Sequence, residues 1–208
     1  MAQLTFFDEK HEYWYDGERI PSVSEVLRFA SRETYSTVNQ VILDEAKDRG
    51  TRVHKACEDI DKTGTVDVDA DIAGYVKAYV KFVKDHKPKW ELIEKAMMHP
   101  SKEYAGTLDR YGVIDGTTHC VLDIKTTSRI VKQLVAPQLY AYRKMLLAND
   151  PVRAAGTALF SLQLKRDGTY TLSRHDDGKA LWDACFALHT AFKKKVRKKN
   201  ADKPRDSV

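Results

Sequence analysis

One stretch constrains this chain more than any other: GTLDRYGVIDGTTHCVLDIKTTS, from Gly106 to Ser128. Two runs of strand-forming residues, Thr107 to Ile114 and His119 to Lys125, flank Asp115-Gly116, a dipeptide that tolerates the positive φ angles of a tight hairpin. A turn through about Asp115 to Thr118 sets Asp109 across from the Asp123–Lys125 stretch. Side chains alternate along a strand, so Asp123 and Lys125 share one face while Leu122 and Ile124 share the other. Two carboxylates and a lysine then converge at the end of a sheet. Such a trio suits metal-assisted hydrolysis of a phosphate ester: hard oxygen ligands hold Mg²⁺ or Mn²⁺, and a lysine orients water and offsets negative charge. The same Asp and Lys also read as an ordinary solvated pair on a strand face. Asp115 needs no role beyond its turn.

The flanking sequence supplies further elements. LTFFDEKHEYWYDGERI reads as short aromatic strands, with Asp16-Gly17 as a turn. Ser22 to Glu25 has capping-box spacing before Val26, Leu27 and Phe29. Helical periodicity covers Val38 to Lys62, where Gly50 marks a kink or a break, and Asp69 to His86, which Pro88 stops. Trp90 to Met98 reads as a strand, Lys132 to Ala148 as a helix with Pro137 near its first turn. Ala154 to Leu164 and Thr169 to Ser173 form a hairpin around Arg166-Asp167-Gly168, and a last helix runs from about Asp177. Helices, then three strands, a helix and more strands imply an α/β (α+β) layer structure with a partly antiparallel sheet. Without an internal repeat or long linker, residues 1–192 read as a single domain and residues 193–208 as a basic C-terminal tail.

Charge placement supports that division. The 208 residues carry 35 Lys/Arg against 30 Asp/Glu, a net charge of +5. Residues 193–208 contain eight of those bases and two of those acids, leaving 27 bases and 28 acids in the body. Attraction for a polyanion is thus concentrated in the tail, which equally reads as a solvated end. No apolar run approaches the ~20 residues that span a bilayer, and MAQLTFFDEK has no signal-peptide core. Cys57, Cys120 and Cys185 are scattered, without zinc spacing or a disulfide framework, as in a reducing cytoplasm. No P-loop is present, so no ATP site is expected.

Glu94, Gly106-Thr-Leu-Asp109, Asp123-Ile-Lys125 and Gln138-Leu-Tyr-Ala-Tyr142 follow one another in order, preceded by Gly50-Thr-Arg-Val-His54. This series resembles the PD-(D/E)XK nuclease superfamily, in its RecB-like, phage-type exonuclease branch. His11-Glu-Tyr with Ile20-Pro-Ser-Val-Ser24 is similar to the opening of phage-encoded members, and the matches span about two thirds of the chain. The resemblance implies a restriction-endonuclease-like mixed sheet flanked by helices, with an extra N-terminal hairpin and helices. It implies Asp109 and Asp123 as principal ligands of Mg²⁺ or Mn²⁺, the Ile124 carbonyl and the neutral imidazole of His54 as further ligands, and Lys125 as the active-site lysine. Glu94 stands where an acid binds a second metal or a water. Gln138 and Tyr142, one helical turn apart, line the site in the family, or else belong to an amphipathic face with Tyr140 and Leu146. Glu58 is a ligand, a support for His54 or an exposed pair on the helix.

The activity implied is divalent-metal-dependent cleavage of DNA by a phage-type exonuclease of recombination or replication, with a partner protein from either process. An endonuclease for structured or single-stranded DNA, and a non-catalytic DNA-binding module, are the alternatives. Arg110, Arg129, Lys132 and Arg143 flank the site and are expected on the DNA backbone. Tyr13, Trp14 and Tyr15 stack on bases or pack as core. Relatives with an iron–sulfur cluster use four cysteines, so none is expected here. The expected location is the cytoplasm, that of a bacterial host if the chain is phage-encoded.

Overall fold

The aromatic N-terminal stretch folds into a small antiparallel sheet of β1 (Leu4–Phe7), β2 (Glu12–Tyr15) and β3 (Glu18–Ile20). The computed structural model describes residues 3–7, 10–101, 103–154, 156–176 and 178–201. Asp16 and Gly17 make the β2–β3 turn with φ of 52° and 76°. Tyr13 is buried, stacks on Phe6 with ring centroids 4.7 Å apart, and its hydroxyl lies 2.8 Å from Thr107 Oγ1. Its ring is therefore core, closed to a nucleobase.

Ser22 caps α1 (Val23–Val26), its Oγ accepting from the Glu25 amide at 3.0 Å, and α2 (Arg28–Thr34) follows. Asn39 and Gly64 bound α3 (Gln40–Thr63), which runs unbroken through Gly50. The helix does not break there because a single glycine costs a helix only about 1 kcal/mol, which the buried face of Val53, Ala56 and Cys57 offsets. Next come α4 (Ala73–His86), β4 (Lys89–Met98), β5 (Ala105–Ile114) and β6 (Thr118–Lys125). Then α5 (Lys132–Asn149) and the short α6 (Pro151–Ala154) precede β7 (Ala158–Leu164), β8 (Tyr170–His175) and α7 (Lys179–Ala201). Ala154 thus closes a helix, four residues before the strand expected to include it.

The main sheet has the order β4-β5-β6-β7-β8. All its pairs are antiparallel except β6 with β7, which α5 connects as a crossover. Asp115 and Gly116, with φ of 52° and 79°, turn β5 into β6, and Arg110 stands opposite Leu122. One face of the sheet packs on α1, α5 and α7 through Leu108, Tyr111, Leu139, Met145 and Trp182. The other packs on α3 and α4 through Val53, Tyr79, Phe82, Leu122 and Ile124. The chain is therefore a mixed α/β structure, a five-stranded sheet flanked by helices with an added N-terminal sheet. Among the described residues no helix is long and apolar enough to cross a membrane. The basic run begins on α7, and residues 202–208 of the expected tail lie outside the described residues.

Candidate metal centre and active site

The β5–β6 ladder changes character just past Arg110 and Leu122. There the Asp109 side chain accepts the Ile124 amide at 2.7 Å. The Ile124 carbonyl lies 3.0 Å from His54 Nε2 of α3. The other ring nitrogen of His54 lies 3.2 Å from Glu94 Oε1 and 3.7 Å from Asp109 Oδ2. Donor atoms of His54, Glu94 and Asp109 all fall within 4.8 Å of one another. Four separate elements therefore set two carboxylates at one nitrogen of an imidazole and a backbone carbonyl at the other.

Asp123 and Lys125 share a face, as strand alternation requires. Lys125 Nζ lies 3.0 Å and 2.8 Å from the two Asp123 oxygens. Gln138 Oε1 accepts from Lys125 Nζ at 3.3 Å, and Gln138 Nε2 donates to the Tyr142 hydroxyl at 3.4 Å. Gln138 thus stands beside the lysine, with Tyr142 behind it. Gly106 makes room for this: a Cβ there comes within 2.7 Å of Tyr142 Cε1. A cavity of about 260 Å³ opens next to Lys125 and Gln138, walled by Leu27, Ile130, Leu134 and Val135, with Tyr35 and Arg129 on its lining.

Burial and mutual repulsion shape the charges. Burial pushes the Asp123 carboxyl up to about 6, against the opposing pull of Lys125. Asp109 is raised by burial too, with His54 opposing. Burial disfavours the His54 cation, yet Asp109 and Glu94 outweigh it and lift the imidazole to about 9. Lys125 is likewise held above its usual range by Asp123 and Asp109 despite burial. Without a cation, protonated His54 and Lys125 offset the carboxylates, and ligation through the neutral imidazole that the family resemblance implies would release a proton. Hard oxygen donors with one imidazole fit Mg²⁺ or Mn²⁺. Donor atoms of His54, Glu94 and Asp109 lie close enough together that they could hold such an ion, and the Ile124 carbonyl lies beside His54.

Arg110 corrects the sequence expectation. It is fully buried, so no DNA backbone reaches it. Its Nε donates to Asp61 Oδ2 at 2.6 Å, and its Nη1 donates to Glu94 Oε1 at 2.8 Å and to the Asp109 carbonyl at 2.7 Å. The Tyr79 hydroxyl donates to the same Asp61 oxygen at 2.6 Å. Asp61 escaped the sequence reading, although it lies two helical turns beyond His54 and so on its face. Glu58 resolves as a helix-surface partner of Lys55 and Lys62. Arg129 and Lys132 are exposed, whereas Arg143 is half-buried with its guanidinium 5.8 Å from the Tyr140 ring centre. Cys57, Cys120 and Cys185 are buried free thiols.

No protein-family model matches the chain, and no curated protein does. Eleven chains of solved structures match it. Among them is the crystal structure of an alkaline exonuclease (LHK-Exo) from Laribacter hongkongensis, 15% identical, with 88% of this chain and 93% of that chain covered at a TM-score of 0.38. A likeness of that extent assigns no residue a role.

Proposed function

We propose that the chain is a divalent-metal-dependent deoxyribonuclease of the PD-(D/E)XK type, acting as a phage-type exonuclease in recombination or replication. The observation that carries this reading is the His54–Glu94–Asp109 cluster, its donor atoms within 4.8 Å, beside an Asp123 carboxylate paired with Lys125. Bound Mg²⁺ or Mn²⁺ supplies polarisation of the phosphate and a lowered pKa for the attacking water. The chain's own groups do the rest. Lys125, held by Asp123 and Gln138, donates to a non-bridging phosphate oxygen or to the water and offsets the charge that builds there. Water adds across one P–O ester bond, leaving a phosphomonoester on one side and a hydroxyl on the other. Arg129 and Lys132 offer the strand exposed cations, and the apolar cavity beside Lys125 receives the adjoining nucleotide.

The test is a time course on end-labelled linear duplex, single-stranded and circular DNA with Mg²⁺, Mn²⁺ or EDTA. Linear DNA is expected to shorten from its ends only when metal is present. Asp123→Ala and Lys125→Ala, each shown folded by circular dichroism, are expected to abolish cleavage. Undiminished cleavage in both sinks the site assignment. Cleavage of circles moves the reading to an endonuclease, and DNA binding without calorimetric Mn²⁺ binding moves it to an accessory module.

A further inference from the structure

Arg110 donates from Nε to the buried Asp61, a bond that uses one of its five N–H groups. Arg110 does more. Its Nη1 is divided between the Glu94 carboxylate, at 2.8 Å, and the Asp109 carbonyl, at 2.7 Å, the two acids that the cation cluster also contains. The oxygen it holds, Glu94 Oε1, is the one that faces His54 Nδ1 at 3.2 Å. Glu94 also has a φ of 43° in mid-strand. A residue with a side chain keeps that left-handed conformation only where its surroundings hold it. Behind Arg110, Tyr79 and Asp61 complete a chain of hydrogen bonds from α4 through α3 to β4.

We infer that Arg110 is a positioning residue that sets the site's affinity for its divalent cation, by holding Glu94 turned inward against His54 and Asp109. The inference rests on the metal-site reading above and adds to it the group that decides how tightly the ion is held. Arg110 never touches the ion. It fixes one donor in place. Partners of metal ligands characteristically change affinity by 10- to 100-fold when removed.

The measurement is Mn²⁺ titration calorimetry on the full chain at fixed pH, well below the melting temperature. Arg110→Met is expected to weaken Mn²⁺ binding by roughly 10- to 100-fold. Arg110→Lys keeps the charge but not the planar fork, and is the variant to rely on where Arg110→Met does not fold. It is expected to weaken binding less, and to raise the metal concentration for half-maximal DNA cleavage while excess Mn²⁺ restores the full rate. Phe82→Leu, a packing change in the core beside Tyr79, is the control: it is expected to lower the melting temperature and leave Mn²⁺ affinity within twofold. Folded Arg110→Met or Arg110→Lys protein that binds Mn²⁺ within twofold of wild type overturns the inference. Wild-type protein that binds no Mn²⁺ overturns instead the metal-site reading beneath it.

Discussion

The Asp109 carboxylate accepts the Ile124 amide at 2.7 Å, so a side chain of one strand satisfies the main chain of the next. The residue therefore has a structural duty separable from any ligand duty. Asp109→Ala orphans a buried N–H and is expected to cost about 1–3 kcal/mol in urea denaturation. Asp109→Asn keeps an acceptor oxygen, and is expected to retain most of that stability while losing Mn²⁺ binding in calorimetry.

His54 makes stability depend on pH. Its folded-state value, raised to about 9, lies above the 6.5 of an unperturbed imidazole. The folded chain thus binds this proton more tightly than the unfolded chain. That contribution is fully present below about 6.5 and is lost as pH rises through about 9. It amounts to roughly 3 kcal/mol. Wild type in EDTA is expected to lose melting temperature between these limits relative to His54→Gln. Asp123, raised to about 6, adds a fall of the same sign at lower pH. Stabilisation by Mn²⁺ is expected to grow over the range in which His54 gives up its proton.

Gly106→Ala tests the support of Tyr142. The new Cβ comes within 2.7 Å of Tyr142 Cε1 and 3.2 Å of Val23 Cγ2, so the ring must move. Overpacking of this kind costs about 1–3 kcal/mol. The displaced hydroxyl also loses Gln138, which in turn steadies Lys125. A lower melting temperature with slower cleavage and unchanged Mn²⁺ affinity is the expected combination.

Truncation after Phe192 removes eight Lys/Arg. Counterion release makes DNA affinity fall with salt in proportion to the phosphates neutralised. The shortened chain is expected to bind DNA more weakly in fluorescence anisotropy, with a shallower dependence of log Kd on log salt, and to keep its metal-dependent cleavage at saturating DNA. Equal binding at low salt removes the tail from the recognition of DNA.

The hairpin could be read in advance because everything that determines it is local. Asp115-Gly116 fixes the turn, the turn fixes the register, and the register sets Asp109 against the Asp123–Lys125 stretch. Gln138 and Tyr142 needed only helical spacing to be paired. Arg110 was misread for the opposite reason. Its neighbours in sequence give no hint of Asp61, 49 residues away, or of Glu94, 16 residues away. An arginine beside acidic positions looks exposed until its partners are known, because burial of a cation is decided by tertiary charge pairing. The unbroken helix at Gly50 was likewise decided by packing beyond the reach of local propensity.

The parallel pairing of β6 with β7 has a consequence for the newly made chain. Asp109, Asp123 and Lys125 meet as soon as one local hairpin closes. His54 must find Ile124 across 70 residues, and Gln138 arrives only with the crossover helix. Long-range contacts of this kind form slowly, since the entropy of loop closure comes first. Asp109 and Asp123 are therefore assembled, with Arg110 on the same hairpin, before the imidazole and the glutamine that join them, so a partly folded chain holds the hairpin's acids without the rest of the proposed site. The complete set of side chains at the proposed centre is the last thing this topology acquires.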